Sequence, residues 1–220
     1  MNRKKILIAG RFNSGSLIPV EIFVLIFGLL IALARTNKNP ILYPIKLLAT
    51  IYTDIFRGLP LLLVLLLVGF GLPGLQLSWL PNSAVLLGTV SLILTYSAYV
   101  AEVIRAGIEA VHPTQRMAAR ALGLTNAQTQ KHVVLPQAFR KVLPPLLNDL
   151  VSLQKDSGLI SVLGAIDAIR AAGIETAQSF NFTPYLVAGF FFVLLTIPLT
   201  RYTDWLAKRQ DLARQQQGQW

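Results

Sequence analysis

Cysteine is absent from the 220 residues, so neither a disulfide nor a thiolate metal site is open to this chain. Charge is scarce as well: Asp, Glu, Lys and Arg make up 14% of residues, too few to cover an ordinary soluble domain of this length. Acids are the scarcer sign, 10 against 20 Lys+Arg, and there are two histidines, His112 and His132. The two lie far apart in sequence, which sets metal and catalytic roles aside. No Gly-x-x-x-x-Gly-Lys-Ser/Thr stretch occurs, so the chain lacks a phosphate cradle for ATP. An acid-base or metal constellation near an interface is missing too, which argues against a membrane enzyme.

What is present is apolar length. Hydrophobic residues reach 54%, mean hydropathy is +0.57, and the few charges clump between long apolar runs. A hydrocarbon layer about 30 Å thick imposes that clumping, because each crossing helix needs roughly 20 mostly apolar residues. The net charge of +10 does not indicate nucleic acid, since basic residues flank apolar runs rather than forming a soluble face.

Five spans are expected in an all-α integral membrane protein. They run over about Leu17 to Ala34, Tyr43 to Leu72, Ser83 to Ile104, Val142 to Leu163 and Thr183 to Thr200. The second divides at Arg57-Gly58-Leu59-Pro60, and its earlier half carries Lys46, Asp54 and Arg57, which belong at the interface. Gly71 to Asn82 reads as a short uncharged loop. Residues 1–16 form an uncleaved, interfacial leader, with Arg3, Lys4 and Lys5 before an apolar run too short for a signal peptide. Residues 17–206 form the membrane domain, and residues 207–220 a Gln-rich tail expected to be disordered.

Basic residues set the orientation. Arg35, Lys38, Arg105, Arg116, Arg120, Lys131, Arg140, Lys141, Arg201, Lys208, Arg209 and Arg214 lie in segments on one side, against Arg170 on the other. The rich side is cytoplasmic, which puts the C-terminus inside and the N-terminus outside. The leader's Arg3, Lys4, Lys5 and Arg11 run against that rule.

The cytoplasmic segment 109–141 is long for a loop, yet it carries helix punctuation. Pro113 suits a first helical turn, Met117 to Leu122 are strong helix formers, and Gly123 suits a left-handed stop. Thr125 and Gln128 form a capping box for a second helix, which should end before Pro136. Alanines on the first helix allow close approach to another protein, with Arg116 and Arg120 on one side. A plain connecting loop is the bland alternative.

Spacing then points to a family. Met117-Ala118-Ala119, three residues, Gly123, nine residues, Val133, one residue and Leu135-Pro136 resemble the cytoplasmic signature of permeases of binding-protein-dependent ABC importers. That signature reads EAA, G, I and LP at the same intervals, so Met117 replaces a Glu and Val133 an Ile. Tyr52 to Pro60, Tyr99 to Ile108 and Leu153 to Leu159 resemble segments of the polar amino-acid branch, with Asp54 standing for a Glu. The likeness covers about Leu29 to Leu206. It implies the type I importer permease fold, in the bacterial cytoplasmic (inner) membrane.

The resemblance also implies a division of labour. Two permease subunits, identical or homologous, would pair, and an ABC ATPase dimer would bind ATP and Mg. An external or periplasmic binding protein would deliver the amino acid. Pro113, Gln115, Arg116, Met117, Ala118, Ala119, Arg120, Gly123, Leu135 and Pro136 would form the coupling helix and its surround. This chain would hold no cofactor of its own and would not be an enzyme. Arg57, Gly58 and Pro60 have a structural role at the divided span.

The fourth span adds a polar path of its own. Asn148, Asp149, Ser152, Lys155 and Asp156 fall within about 120° of one helical face. Charges there cost several kcal/mol unless they face a cavity or partner. Lys155 and Asp156 offer both signs to a zwitterionic substrate, with Asn148 and Ser152 as hydrogen-bonders. Alternatively, Lys155 pairs with Glu102, itself a pathway candidate, and holds the bundle together. Glu102 and Arg105, one turn apart, can also pair with each other. Trp79, Tyr202 and Trp205 sit where interfacial anchors belong, and Gly58, Gly69, Gly71 and Gly88 permit close helix approach. A permease for another small solute, such as an opine or a metal complex, is the nearest alternative function, and a scaffold without transport is a further one.

Overall fold

The structure, a computed structural model, describes residues 3–37, 39–76 and 82–217, with side chains described from Leu17 to Arg209. Helix α1 runs Arg3–Thr36, and its crossing part is Leu17–Thr36. Every fourth residue along it, Val20, Val24, Gly28 and Ala32, is buried. That stripe lies against α5 (Ala84–Glu109), the central helix, where a Cβ at Gly28 would strike Val100. Ser83 caps α5 by accepting from the Leu86 N–H at 3.5 Å. The buried positions of α5 extend from Leu87 to Gly107 and bring α1, α2, α3 and α8 around it.

Helix α2 (Tyr43–Gly58) is followed by α3 (Leu61–Leu66), a widened turn over Leu67–Gly71 and α4 (Leu72–Gly74). The chain bends by 106° between Gly58 and Leu61. Pro60 explains the break: it lacks an N–H and forces Leu59 into extended backbone, at φ −88° and ψ 136°. The divided second span is therefore as expected. Helix extends to Gly74, however, into the stretch expected as loop, while Trp79 lies outside the described residues. Gly69 and Gly88 do make close approaches, to Leu163 and Ile160, but Gly58 and Gly71 have nothing near a built Cβ.

After α5 come α6 (Pro113–Ala121) and α7 (Asn126–Thr129), then a widened helical turn over Gln130–Val134 and α8 (Leu135–Asp156). The second cytoplasmic helix does not stop before Pro136 as expected. It passes through the widened turn straight into α8, where Pro136 occupies the first turn and needs no N–H partner. A tight turn over Ser157–Leu163 follows, then Gly164 at φ +93°, a value that favours glycine. Helix α9 (Ala168–Ser179) leaves at a 49° bend.

Helix α10 spans Thr183–Gln217 and passes through Pro198. The tail expected to be disordered is helical over residues 207–217, because Leu, Ala, Arg and Gln are strong helix formers and continue the preceding turns. Residues 218–220, and the side chains of the leader on which its interfacial placement depends, lie outside the described residues. Among the described residues three helices are long and apolar enough to cross a membrane, and counting each of the two bent pairs as one span gives up to five crossings. The protein is an all-α membrane bundle.

Candidate functional site

At one end of the bundle, α6 is fixed at both termini by its own sequence. His112 accepts from the Thr114 N–H at 3.3 Å, and Pro113 fills the first turn. At the far end Leu124 N–H donates to Ala119 C=O at 3.2 Å and Gly123 N–H to Arg120 C=O at 3.0 Å. That pair of bonds is the Schellman stop, and Gly123 at φ +84° supplies its left-handed residue. The expected capping box is formed: Thr125 N–H donates to Gln128 Oε1 at 2.8 Å, and Gln128 N–H to Thr125 Oγ1 at 3.2 Å.

The faces of α6 differ from the expectation in one respect. Ala119 is 4% exposed and packs inward, so of the three alanines of α6 only Ala118 and Ala121 are open. Arg116 and Arg120 part company as well. Arg116 turns back to donate to Ile108 C=O at 3.2 Å, whereas Arg120 is exposed and reaches Leu124 C=O. Gln115, Met117, Ala118, Arg120 and Leu122 form the open surface, on which Met117 is 61% and Leu122 83% exposed. Leu135 and Pro136 are exposed too. Below lies a small core of Val111, Val134 and Ala138, with Ile108 against it.

The five residues expected on one face of α8 do not all meet. Asn148 accepts from Thr203 Oγ1 of α10 at 3.3 Å. Asp156 accepts from the Tyr96 hydroxyl of α5 at 2.7 Å. Asp149 lies within electrostatic reach of that hydroxyl, and its Oδ2 is buried without a hydrogen-bond partner among the described residues. Ser152 is half-buried. Lys155 is exposed in a shallow groove with Ile169, Phe192, Val193, Thr196 and Ile197. An arc of 120° is wide enough to touch two neighbours, so the acids turn to α5 while Lys155 turns to α9 and α10.

Glu102 belongs to a different cluster. Arg105 donates to it from Nη2 at 2.6 Å and Nε at 3.0 Å, Arg35 of α1 from Nη1 at 2.7 Å, and Arg57 of α2 stands 3.7 Å away. The expected Glu102–Arg105 pair is thus present, and the alternative Glu102–Lys155 pair is not. Arginines already occupy both carboxylate oxygens, and Glu102 lies six residues beyond Tyr96 on α5, about 9 Å along the axis. Arg57 lies in the last turn of α2, directly before the Gly58–Pro60 break.

Sequence reasoning overlooked Tyr96, which is 4% exposed, and Arg35 as Glu102's partner. It also overlooked Tyr52, whose hydroxyl bonds Leu94 C=O and Ser97 Oγ at 2.7 Å each. The available signal was the polar run Thr95-Tyr96-Ser97 inside an apolar span, since buried tyrosines need a hydroxyl partner.

Known proteins share this architecture. Residues 24–212 match the family described as binding-protein-dependent transport system inner membrane component. A protein named as a glutamine transport system permease in Rickettsia conorii is 40% identical, over 80% of this chain and 79% of its own. The arginine transport system permease protein ArtQ of Bacillus subtilis is 37% identical, over 80% and 78%. A solved structure titled as an amino acid ABC transporter with histidines superposes with a TM-score of 0.85 at 33% identity, covering 94% of each chain. With the bent spans, the capped cytoplasmic helix and these likenesses in hand, the chain belongs to the binding-protein-dependent transport system inner membrane components, the permeases of ABC importers.

Proposed function

We propose that this protein is the transmembrane subunit of an ATP-driven importer that carries amino acids delivered by an external binding protein. The observation that carries the reading is α6: a rigidly capped helix with an open face of Gln115, Met117, Ala118 and Arg120, linked by the short turn over residues 122–125 to α7, which runs without a loop into α8. The likeness to proteins named for glutamine and arginine transport supports an amino-acid cargo. An ABC ATPase dimer, holding ATP and Mg, docks on α6 and its copy in a second, identical or homologous permease. Met117 puts a thioether where the family signature has a carboxylate, so docking here relies on apolar contact with Met117 and Leu122.

Closure of the ATPase dimer moves α6, and the continuous α7–α8 rod carries that movement to the depth of Asp149 and Asp156, the pattern of alternating access. Along the path, Asp149 and Asp156 on the α5 side of α8 face a substrate ammonium, with Ser152 on the same helix, while Asn148 and Lys155, turned toward α9 and α10, meet the substrate at a separate point. The basic segments 105–141 and 201–214 lie in the cytoplasm with the C-terminus, and the N-terminus lies outside. Reconstitution with the cognate ATPase and binding protein should give ATP-dependent accumulation of a labelled amino acid. Equal uptake without ATP or without binding protein would overturn the proposal.

A further inference from the structure

We infer that Glu102 is a positioning residue that transmits the movement of α6 to the break between α2 and α3. The inference rests on the function proposed above, and the contacts form an unbroken series. Arg116 of α6 holds Ile108 C=O at 3.2 Å, and Lys141 of α8 holds Ala110 C=O, so the cytoplasmic segment grips the end of α5 from two sides. One turn back, Arg105 pairs with both Glu109 and Glu102. Glu102 then reaches Arg35 in the last turn of α1 at 2.7 Å and Arg57 in the last turn of α2 at 3.7 Å. Arg57 directly precedes Gly58 and Pro60, where the chain bends by 106°.

Three features make this series a linkage rather than ordinary cross-bracing. Thr53 is the one buried residue of α2, so packing alone holds that helix weakly. Its polar ties to α5 are Tyr52, at Leu94 and Ser97, and Arg57, at Glu102; the second lies beside the bend. Among the described residues Glu102 is also the one carboxylate shared by Arg35, Arg57 and Arg105, since Glu109 pairs with Arg105 alone. Neutralising it leaves three guanidiniums on three helices, with Glu109 opposing Arg105 alone. The same helices then repel where they were joined, and Arg35, 10% exposed, keeps its charge in a confined site. Beyond the bend, α3 packs on α5 and buries Val64 and Leu65, so a pull on Arg57 reaches the membrane interior.

The test uses the complete importer in proteoliposomes, with ATP hydrolysis and uptake of tritiated arginine and glutamine measured on the same preparation. Glu102→Gln should raise the ATP consumed per molecule imported by roughly twofold to thirtyfold, the range that changes along coupling networks produce. ATP hydrolysis itself should stay close to wild type, and Glu102→Asp should recover most of the ratio. Arg57→Gln, at a side chain 40% exposed and so tolerant of replacement, should raise the ratio in the same direction. Combined with Glu102→Gln it should add little. A wild-type ratio in both variants, or uptake and hydrolysis falling together with no rescue by Glu102→Asp, would overturn the inference. Failure of the wild-type complex to import either amino acid would instead count against the function on which the inference rests.

Discussion

Adding one methyl group at Gly28 should destabilise the bundle, because the space it needs is occupied from the side that cannot yield. A Cβ built there stands 2.8 Å from Val100 Cβ, nearer still to its Cγ1, and 3.2 Å from the Ser97 carbonyl oxygen. Ordinary contacts begin near 3.4 Å. Val100 is fully buried, and the Ser97 carbonyl belongs to α5 itself, so α1 must move outward. Overpacking of this kind costs about 1–3 kcal/mol. Replacing a helical glycine by alanine returns up to about 1 kcal/mol of backbone entropy. The net expectation for Gly28→Ala is a loss of about 1–2 kcal/mol.

Val100→Ala alone should cost about 1–3 kcal/mol through the cavity it leaves. Together the two should cost less than their sum by more than about 0.5 kcal/mol, since each relieves the other. Relief should be partial, because the Ser97 oxygen remains. Gly71→Ala, where a Cβ meets nothing within 4 Å, is the control expected to be neutral or slightly stabilising. Unfolding by heat or SDS in a fixed detergent, followed by circular dichroism, measures all four. Additive costs for Gly28→Ala and Val100→Ala, or a midpoint for Gly28→Ala equal to wild type, would refute the packing argument.

Tyr96→Phe removes the hydroxyl that Asp156 accepts from, at 2.7 Å. Loss of a hydrogen bond to a charged group, about 1.5–3 kcal/mol, should appear as a lowered unfolding midpoint, with uptake reduced in proteoliposomes. Gly123→Ala forces a Cβ into φ +84°; a cost of about 1–2 kcal/mol should loosen the end of α6, read by faster amide exchange over residues 119–124. Asp167 caps α9 by accepting from the Arg170 N–H at 2.7 Å through Oδ1. Asp167→Ala should lose about 0.5–2 kcal/mol of stability, whereas Asp167→Asn keeps that acceptor and should lose less in the same melting assay.

Local signals in the sequence determined local structure here. Pro60 broke the second span, Pro113 and Gly123 delimited α6, and Thr125 with Gln128 capped α7, because each acts through its own backbone or a neighbour within three residues. Where a feature depended on residues far apart, the sequence was silent. Arg35 and Glu102 are 67 positions apart, and nothing in either segment names the other. The arc on α8 could be computed, but not which neighbour each part of it would face, so Lys155 and Asp156 separated. The inward turn of Ala119 depends on the core of Val111, Val134 and Ala138, which the widened turn at Gln130–Val134 brings beneath α6. Pro136 read as a helix stop because a proline within a regular helix is costly, and the same residue is harmless in a first turn.

The absence of cysteine gives a clean route to the central claim, that a partner motor acts on this bundle through α6. A single cysteine at position 117, Met117→Cys, lies on the open face of that helix, where Met117 is 61% exposed. In the assembled importer it should crosslink to the ATPase subunit with a yield that changes between nucleotide-free and ATP-bound states. Labelling of that cysteine by a membrane-impermeant thiol reagent added outside intact cells, with no crosslink to the ATPase, would contradict the account.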